Sequence, residues 1–147
     1  MKKLNKILIY LPDLKGGGAE KVYTNLANSW NQEGLEVIIL LNKKEGEFLN
    51  KINQNIKIID LKAQRIRRAF FLLPRVIKKE KPDIVLTAMW PLTSIAIIVA
   101  KLFRLKTKLV ISDHVNLTMS IKKETNINFF IFKLILKFSY KFADGII

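Results

Sequence analysis

Residues 10–30, YLPDLKGGGAEKVYTNLANSW, give the clearest indication of the fold class. An apolar, strand-like run ends at Leu11, three consecutive glycines follow at 16–18, and an amphipathic, helix-like segment begins at Ala19. A strand that passes through a glycine-rich turn into a helix is typical of the first unit of a doubly wound α/β sheet, in which ligands bind beside the carboxyl ends of the strands. The stretch therefore predicts both a fold class and the place of a binding site.

The same alternation continues along the chain. Short runs rich in Ile, Val and Leu alternate with longer helix-like segments, which is typical of a parallel sheet buried on both faces. We predict an α/β fold with a doubly wound, mostly parallel sheet and helices on both faces, that is, a Rossmann-like domain. The predicted strands are Lys6–Leu11, Glu36–Leu41, Ile56–Leu61, Asp83–Thr87, Lys108–Ser112 and Gly145–Ile147, and the predicted helices are Ala19–Gln32, Arg65–Glu80, Leu92–Phe103 and Asn126–Phe142.

Two finer features are also predicted. The first helix should bury Val22, Leu26, Ala27 and Trp30, because these apolar residues recur at helical spacing. The connection at residues 42–55 should be a loop that holds a short helix.

Length and composition are those of one globular domain. Half of the 147 residues are hydrophobic, which is enough for a single core. The chain has no cysteine, which excludes disulfides, thiolate metal sites and cysteine nucleophiles. The apolar run Ile7–Leu11 is too short for a signal-peptide core, and no run reaches the roughly 18 apolar residues of a spanning helix. These features predict a cytoplasmic protein.

The charge is strongly positive. The chain has 26 Lys and Arg against 12 Asp and Glu, a net +14. Such an excess attracts nucleic acid, anionic lipid surfaces or phosphorylated substrates, and a solvated lysine-rich surface is an equal interpretation. In the segment 65–81, RIRRAFFLLPRVIKKEK, basic residues flank aromatic and aliphatic ones, a pattern that favours docking on the inner face of an anionic membrane. The candidate membrane-surface residues are Arg65, Arg67, Arg68, Arg75 and Lys78.

The triple glycine is the candidate ligand loop. Without Cβ atoms, Gly16, Gly17 and Gly18 can adopt positive φ and let the phosphates of a diphosphate or sugar phosphate approach the N-terminus of the helix. A tight turn that needs glycine only for its geometry is the alternative. A P-loop is excluded, because no Lys-Ser or Lys-Thr follows at the required spacing. A dinucleotide fingerprint is disfavoured, because Lys21 takes the place of its third glycine and the second strand runs into Asn42 rather than an acidic residue.

Four motifs in order give the chain a family resemblance. They are GGAEK at 17–21 with Leu-Ala at 26–27 and Gly-x-Glu-Val at 34–37, KPDIV at 81–85, LVISDH at 109–114 and FADGII at 142–147. Over all of residues 1–147 the sequence resembles the N-terminal domain of GT-B fold glycosyltransferases of the glycosyltransferase 4 type. The resemblance implies one domain of a two-domain architecture, with the C-terminal nucleotide-sugar-binding domain absent from this chain.

The resemblance also implies a function. Such enzymes transfer a sugar from a nucleotide-sugar donor to an acceptor with retention of configuration, here to a lipid-linked or cell-surface glycan precursor. It implies that the glycines Gly16, Gly17 and Gly18 face the donor phosphates and that His114 points into the cleft near the transferred sugar. It implies no cofactor and no metal, and an isolated domain that is inactive.

Three further residues are candidates for contact with the acceptor or sugar: Asp13, Trp90 and Asp113. Two of them have a plain alternative, since Trp90 can pack in the core and Asp113 can cap a turn. Two other interpretations of the whole chain remain. One is a Rossmann-like module that binds a nucleotide, another anion or nucleic acid without catalysis, and the other is a nonfunctional truncated remnant.

Overall fold

A computed structural model of the chain describes residues 4–63, 65–89, 91–112 and 141–146. Its centre is one six-stranded sheet in the order β3-β2-β1-β4-β5-β6, in which every pair of neighbours is parallel. The strands are β1 (Lys6–Leu11), β2 (Glu36–Leu41), β3 (Lys57–Asp60), β4 (Ile84–Ala88), β5 (Lys108–Ser112) and β6 (Gly145–Ile146). The helices are α1 (Gly18–Gln32), α2 (Ile66–Glu80) and α3 (Leu92–Leu102), with a 3-10 helix at Glu47–Lys51.

The predicted architecture is confirmed in class and in most element bounds. Strands β1, β2 and β5 begin and end at the predicted residues, and the other described boundaries differ from the prediction by at most one residue. The short helix expected in the connection at 42–55 is the 3-10 helix. The fourth predicted helix lies almost entirely outside the described residues, which resume in a turn at 141.

The core consists of two apolar layers, because a buried parallel strand sends alternate side chains to opposite faces of its sheet. Leu8 and Tyr10 of β1 join the layer beneath α2 and α3. Ile7, Ile9 and Leu11 join the layer beneath α1 and the 3-10 helix. Burying a large aliphatic side chain contributes about 1.5–3 kcal/mol, so the central strand is a main source of stability.

The inward face of α1 differs from the prediction at one residue. Tyr23 and Ala27 are buried, and Leu26 and Trp30 pack partly against the same layer, whereas Val22 is 44% exposed. Both Val22 and Tyr23 fit the helical spacing, and the larger ring takes the inward position because it removes more apolar surface from water.

The strand order marks the point at which open α/β sheets bind ligands. The sheet winds outward from β1 to β3 on one side and from β4 to β6 on the other, so the direction of winding reverses between β1 and β4. In open α/β sheets ligands bind at that reversal, outside the carboxyl ends of the strands. The glycine turn follows β1 and therefore lies at this point.

Candidate active site

The carboxyl ends of four strands meet at one edge of the sheet. Tyr10 is in register with Leu40 of β2 and with Thr87 of β4, and Ala88 of β4 is in register with Ser112 of β5. Neighbouring strands lie about 4.8 Å apart, so the ends of β1 and β5 are about 10 Å from each other. That separation is suited to a ligand that touches the segments following both strands.

The predicted catalytic residue and two of its companions cannot be located within the structure. His114 and Asp113 follow Ser112, the last residue of β5, and Trp90 follows β4, but all three lie outside the described residues. Their assignment to the site stays a prediction. It is compatible with the register of β4 and β5, whose ends point to the edge that carries the glycine turn.

The three glycines have three different conformations. Gly16 has φ +97, a left-handed conformation that favours glycine. Gly17 is the N-cap of α1 with an extended backbone (φ −86, ψ 165), and Gly18 is the first helical residue. Among the described residues, no side chain caps this helix end, so its first N–H groups can donate to a ligand at the turn. Positive φ is thus needed at Gly16, whereas Gly17 and Gly18 serve to keep the turn free of side chains.

Two carboxylates already lie against this turn. A Cβ on Gly17 would collide with the Glu20 carboxylate, and a Cβ on Gly16 would lie 2.9 Å from Oε1 of Glu47. A Cβ on Gly18 would meet no atom of the described residues within 4 Å. An incoming anion therefore has an open approach at Gly18, and it must displace Glu20 to reach Gly17. In its present position Glu20 places a negative charge at the positive end of the α1 dipole, as expected for a first-turn acid.

The β2–β3 connection holds the glycine turn in place. The Leu14 amide donates to the Glu45 carbonyl at 2.9 Å, and the Phe48 amide donates to the Leu14 carbonyl at 3.2 Å. Lys15 Nζ lies 2.8 Å from Oε1 of Glu45. A hydrogen bond and charge from Lys15 lower the pKa of the Glu45 carboxyl, and the same contact with Glu45 raises the pKa of Lys15.

Gly46 permits this close packing. Its φ of +122 is a conformation that other residues rarely adopt, and a Cβ there would collide with the carbonyl group of Leu14. The roles of Gly46 and Glu45 could not be predicted from the sequence, because each depends on a contact with a segment about 30 residues away. A lone glycine between two glutamates gives no local signal of such a contact.

Asn28 ties α1 to the same connection. Its Nδ2 donates to the Lys51 carbonyl at 2.8 Å, and its Oδ1 accepts from the Asn53 amide at 2.9 Å. Both polar groups of one side chain are therefore bonded to the segment that packs on the glycine turn.

Asp13 has a structural part in the turn. Its Oδ1 accepts from the Lys15 amide at 3.1 Å, the local bond by which aspartate shapes a turn. The side chain is half-buried and lies at the same sheet edge as the glycines. The predicted contact of Asp13 with an acceptor stays a prediction.

The end of β2 agrees with the argument against a dinucleotide fingerprint. Asn42 takes the place of the acidic residue that would bind a ribose, and its Oδ1 accepts from the Tyr10 hydroxyl at 2.7 Å. Burial raises the pKa of Tyr10, so the hydroxyl remains a proton donor. Within the part of the chain that the structure describes, no three His, Cys, Asp or Glu residues are grouped to hold a metal ion.

Comparison with known proteins identifies the family. The model of Glycosyltransferase Family 4 matches residues 16–147, nearly the whole chain. The chain belongs to glycosyltransferase family 4. This confirms the resemblance found in the four motifs, and the family 4 match includes the glycine turn from its first glycine onward. No curated protein matches the chain.

Solved structures support the same fold for the family 4 chain. Sucrose-phosphate synthase from Thermosynechococcus elongatus superimposes with a TM-score of 0.64 at 14% identity, covering 97% of this chain and 41% of that one. MurG from Acinetobacter baumannii superimposes with a TM-score of 0.62 at 17% identity, covering 97% of this chain and 40% of that one. The family 4 chain thus corresponds to about two-fifths of each of these proteins and has the N-terminal domain fold of the GT-B architecture.

The basic residues of the family 4 chain lie away from the glycine turn, on the outer face of α2. Arg65, Arg67, Arg68, Arg75 and Lys78 are all exposed. Phe71 lies between them at helical spacing and is 62% exposed, whereas Leu73 is fully buried in the core. No helix in the described ranges is long and apolar enough to cross a membrane. The outer face of α2 therefore combines cationic side chains with one exposed aromatic ring.

Proposed function

We propose that residues 1–147 form the N-terminal, acceptor-side domain of a glycosyltransferase that moves a sugar from a nucleotide-sugar donor to an acceptor with retention of configuration. One observation carries the proposal. The glycine turn leads into the α1 N-terminus at the reversal point of the sheet, and in the part of the chain that the structure describes no side chain caps this end and no atom fills the space beside Gly18. Backbone N–H groups and a helix dipole at such a point suit the diphosphate of an activated sugar. Membership of family 4 supports the same reaction class.

The proposed roles follow the geometry of the turn. The donor diphosphate approaches from the open side at Gly18 and is bound by the first N–H groups of α1. Glu20 swings away from Gly17 as the diphosphate arrives, because two like charges cannot share that position without cost. His114 donates a hydrogen bond to a hydroxyl of the sugar or to the charge that develops at its anomeric centre. A second domain holds the nucleoside, so we expect this domain alone to bind donor weakly and to be inactive. The chemistry needs no metal or cofactor.

The acceptor is proposed to be a lipid-linked or cell-surface glycan precursor. Support comes from the outer face of α2, where cationic side chains surround the exposed ring of Phe71. Basic residues attract anionic headgroups and an aromatic ring inserts at the interface, so this face suits docking on the cytoplasmic surface of a membrane.

Transfer of a labelled sugar tests the function. The domain is co-expressed with a family 4 C-terminal domain, and incorporation of label from nucleotide-sugar donors into a lipid extract is measured. We expect His114→Ala and Gly17→Val each to reduce transfer at least a hundredfold, the loss typical of a removed catalytic or positioning group. The extended backbone of Gly17 suits valine, and the Glu20 carboxylate that a Cβ would meet is the end of a flexible side chain that can move aside, so a loss there reflects the filled space rather than a broken fold.

Gly145→Ala is the matched control for the glycine substitution. A Cβ at Gly145 would make ordinary contacts of 3.6 and 3.8 Å with Val110, on a strand remote from the turn. Its activity should equal that of the unmodified protein. Full transfer by Gly17→Val and His114→Ala would remove both residues from the mechanism. Salt-sensitive binding of nucleic acid without any transfer would favour the binding-module alternative.

A further inference from the structure

A cavity opens at the edge of the sheet opposite to the glycine turn. It has a volume of about 410 Å³ and is lined by the end of α2, by residues 81–83 before β4 and by residues 104–107 before β5. These segments precede their strands, so the cavity lies at the amino ends of β4 and β5, whereas the glycine turn lies at the carboxyl edge. A volume of this size is within the range of small-molecule sites.

The rim of this cavity is cationic. Lys78, Lys81, Arg104 and Lys106 line it, and all four side chains are exposed. Among the described residues, no carboxylate forms an ion pair with Lys81, Arg104 or Lys106. The four side chains together bring a charge of +4 to one opening.

The nearby acids are engaged elsewhere. Asp83 accepts from the backbone amides of Asn5 and Lys6 at 3.1 and 3.0 Å, and Glu80 pairs with Lys57 at 2.8 Å. The C-termini of α2 and α3 each contribute about half a negative charge. With Asp83 counted as well, the four cations exceed the local negative charge by about two, so the cavity is suited to a dianion.

Two of the cations stand where glycine is favoured. Lys81 ends α2 with φ 49 and ψ 52, and Arg104, two residues beyond α3, has φ 48. A left-handed residue at a helix end is usually glycine, since other residues pay about 1–2 kcal/mol for this conformation. Both helix ends thus carry a long cationic side chain despite backbone strain, and both side chains line the same cavity. Strain of this kind is found at ligand sites.

The wall of the cavity is partly apolar. Ile77 and Pro82 are buried and Leu105 is half-buried. An apolar wall beneath a cationic rim suits a phosphorylated organic molecule rather than a bare inorganic ion. We propose that this cavity binds a phosphate ester or diphosphate at a site separate from the glycine turn. The phosphate belongs either to a free metabolite or to a lipid headgroup, and binding to vesicles distinguishes the two sources.

The double variant Lys81→Gly with Arg104→Gly tests the site. Glycine is favoured at both positions, so the variant should melt at or above the temperature of the unmodified chain while losing two cations. Calorimetric titration of the 147-residue chain with inorganic pyrophosphate at low salt measures binding. We expect the double variant to bind about tenfold more weakly, as for the loss of two charge-assisted contacts.

Lys62→Gly is the matched control. Lys62 also has a left-handed backbone (φ 50) and is exposed, but it follows β3 at the other edge of the sheet. Pyrophosphate affinity of this variant should equal that of the unmodified chain. A double variant that binds as tightly as the unmodified chain overturns the proposal, and so does binding that is abolished by Gly17→Val and unaffected by the double variant.

Vesicles separate the two sources of phosphate. Sedimentation with phosphatidylcholine vesicles containing phosphatidic acid is compared for the unmodified chain, the double variant and Lys62→Gly. If the double variant loses vesicle binding but pyrophosphate does not bind the unmodified chain, the site takes a lipid headgroup. If the double variant loses pyrophosphate binding but keeps vesicle binding, the site takes a free phosphate. The proposal fails if the double variant alters neither. Because the site is remote from the glycine turn, these outcomes are independent of the transferase assay.

Discussion

The carbonyl group of Leu14 occupies the position that a side chain on Gly46 would need. The two residues belong to segments that follow neighbouring strands, β1 and β2. A hydrogen bond from the Leu14 amide to the carbonyl of Glu45, the residue before Gly46, joins these segments. The β2–β3 connection therefore packs directly against the backbone that leads into the glycine turn.

Gly46→Ala should destabilise the domain more than any other single glycine-to-alanine change in this region. The new methyl group collides with backbone atoms and the φ of +122 becomes strained, which together cost about 2–4 kcal/mol. Thermal unfolding should show the loss as a midpoint lower by roughly 5–15 °C. Gly18→Ala is the control, since none of the described residues lies within 4 Å of its Cβ position. A Gly46→Ala midpoint equal to that of the control would show that the contact is not tight in solution.

Glu20→Gln should tighten the binding of phosphate at the glycine turn. The Glu20 carboxylate lies against Gly17, and removing its charge relieves a repulsion of about 1 kcal/mol, or roughly fivefold in affinity. Pyrophosphate titrations should be carried out with Lys81→Gly and Arg104→Gly also present, so that the cationic cavity at the amino ends of β4 and β5 does not contribute. Glu33→Gln at the other end of α1 should leave the affinity unchanged. Weaker binding by Glu20→Gln would mean that the carboxylate assists the ligand instead of competing with it.

Phe71→Ser should weaken docking on anionic vesicles about tenfold, because an inserted aromatic ring contributes at least 1.5 kcal/mol. The ring is 62% exposed, so the substitution should leave the midpoint of unfolding nearly unchanged. Val22→Ser offers a matched control on the opposite face of the sheet, where the valine is 44% exposed. Equal vesicle binding by the two variants would rule out the outer face of α2 as the docking surface.

The ion pair between Lys15 and Glu45 should give the glycine turn a stability that depends on pH. The pKa of the Glu45 carboxyl is lowered in the folded protein, so its contribution is present above its ordinary pKa of 4.5 and is lost as the pH falls through the lowered value. The pKa of Lys15 is raised, so its contribution is present below its ordinary pKa of 10.5 and is lost at higher pH.

Glu45→Gln is the variant that reveals this dependence. The unmodified protein should melt slightly higher than the variant at pH 7, and the two should converge towards pH 3. The pair is exposed, so added salt should reduce the difference at pH 7. A difference that persists undiminished at pH 3 would assign it to packing of Glu45 rather than to its charge.

The fold could be predicted from the sequence because its signals are local. Apolar runs bounded by glycine, proline and charged residues marked β1, β2 and β5 to the residue, and Pro82 separated α2 from β4. The choice between Val22 and Tyr23 was not local, since both fit the period of the helix and only packing decides between them. Gly46 illustrates the same limit, because its constraint comes from Leu14, far away in the sequence.

The candidate site was predictable in part. The glycine turn was placed by the strand–turn–helix pattern, and the reversal of strand order puts it where ligands bind. The Glu20 carboxylate against Gly17 was not foreseen as an obstacle to a phosphate, because the sequence reveals the helical position of a side chain but not its rotamer. The cationic cavity was missed because Lys81 and Arg104 come together only when α2 and α3 end at the same edge of the sheet.

The two hydrogen bonds from the Asn28 side chain to the β2–β3 connection have a mechanical consequence. Asn28 is ten residues from the start of α1, about 15 Å along the helix axis. Its side-chain amide is hydrogen-bonded to the backbone of the connection at Lys51 and Asn53. Near the start of the helix, the same connection contacts the segment before the glycine turn through backbone hydrogen bonds of Leu14 and the ion pair of Lys15. The helix, the turn and the connection are thus bonded to one another, so a ligand that displaces the glycine turn must also displace α1 and the connection.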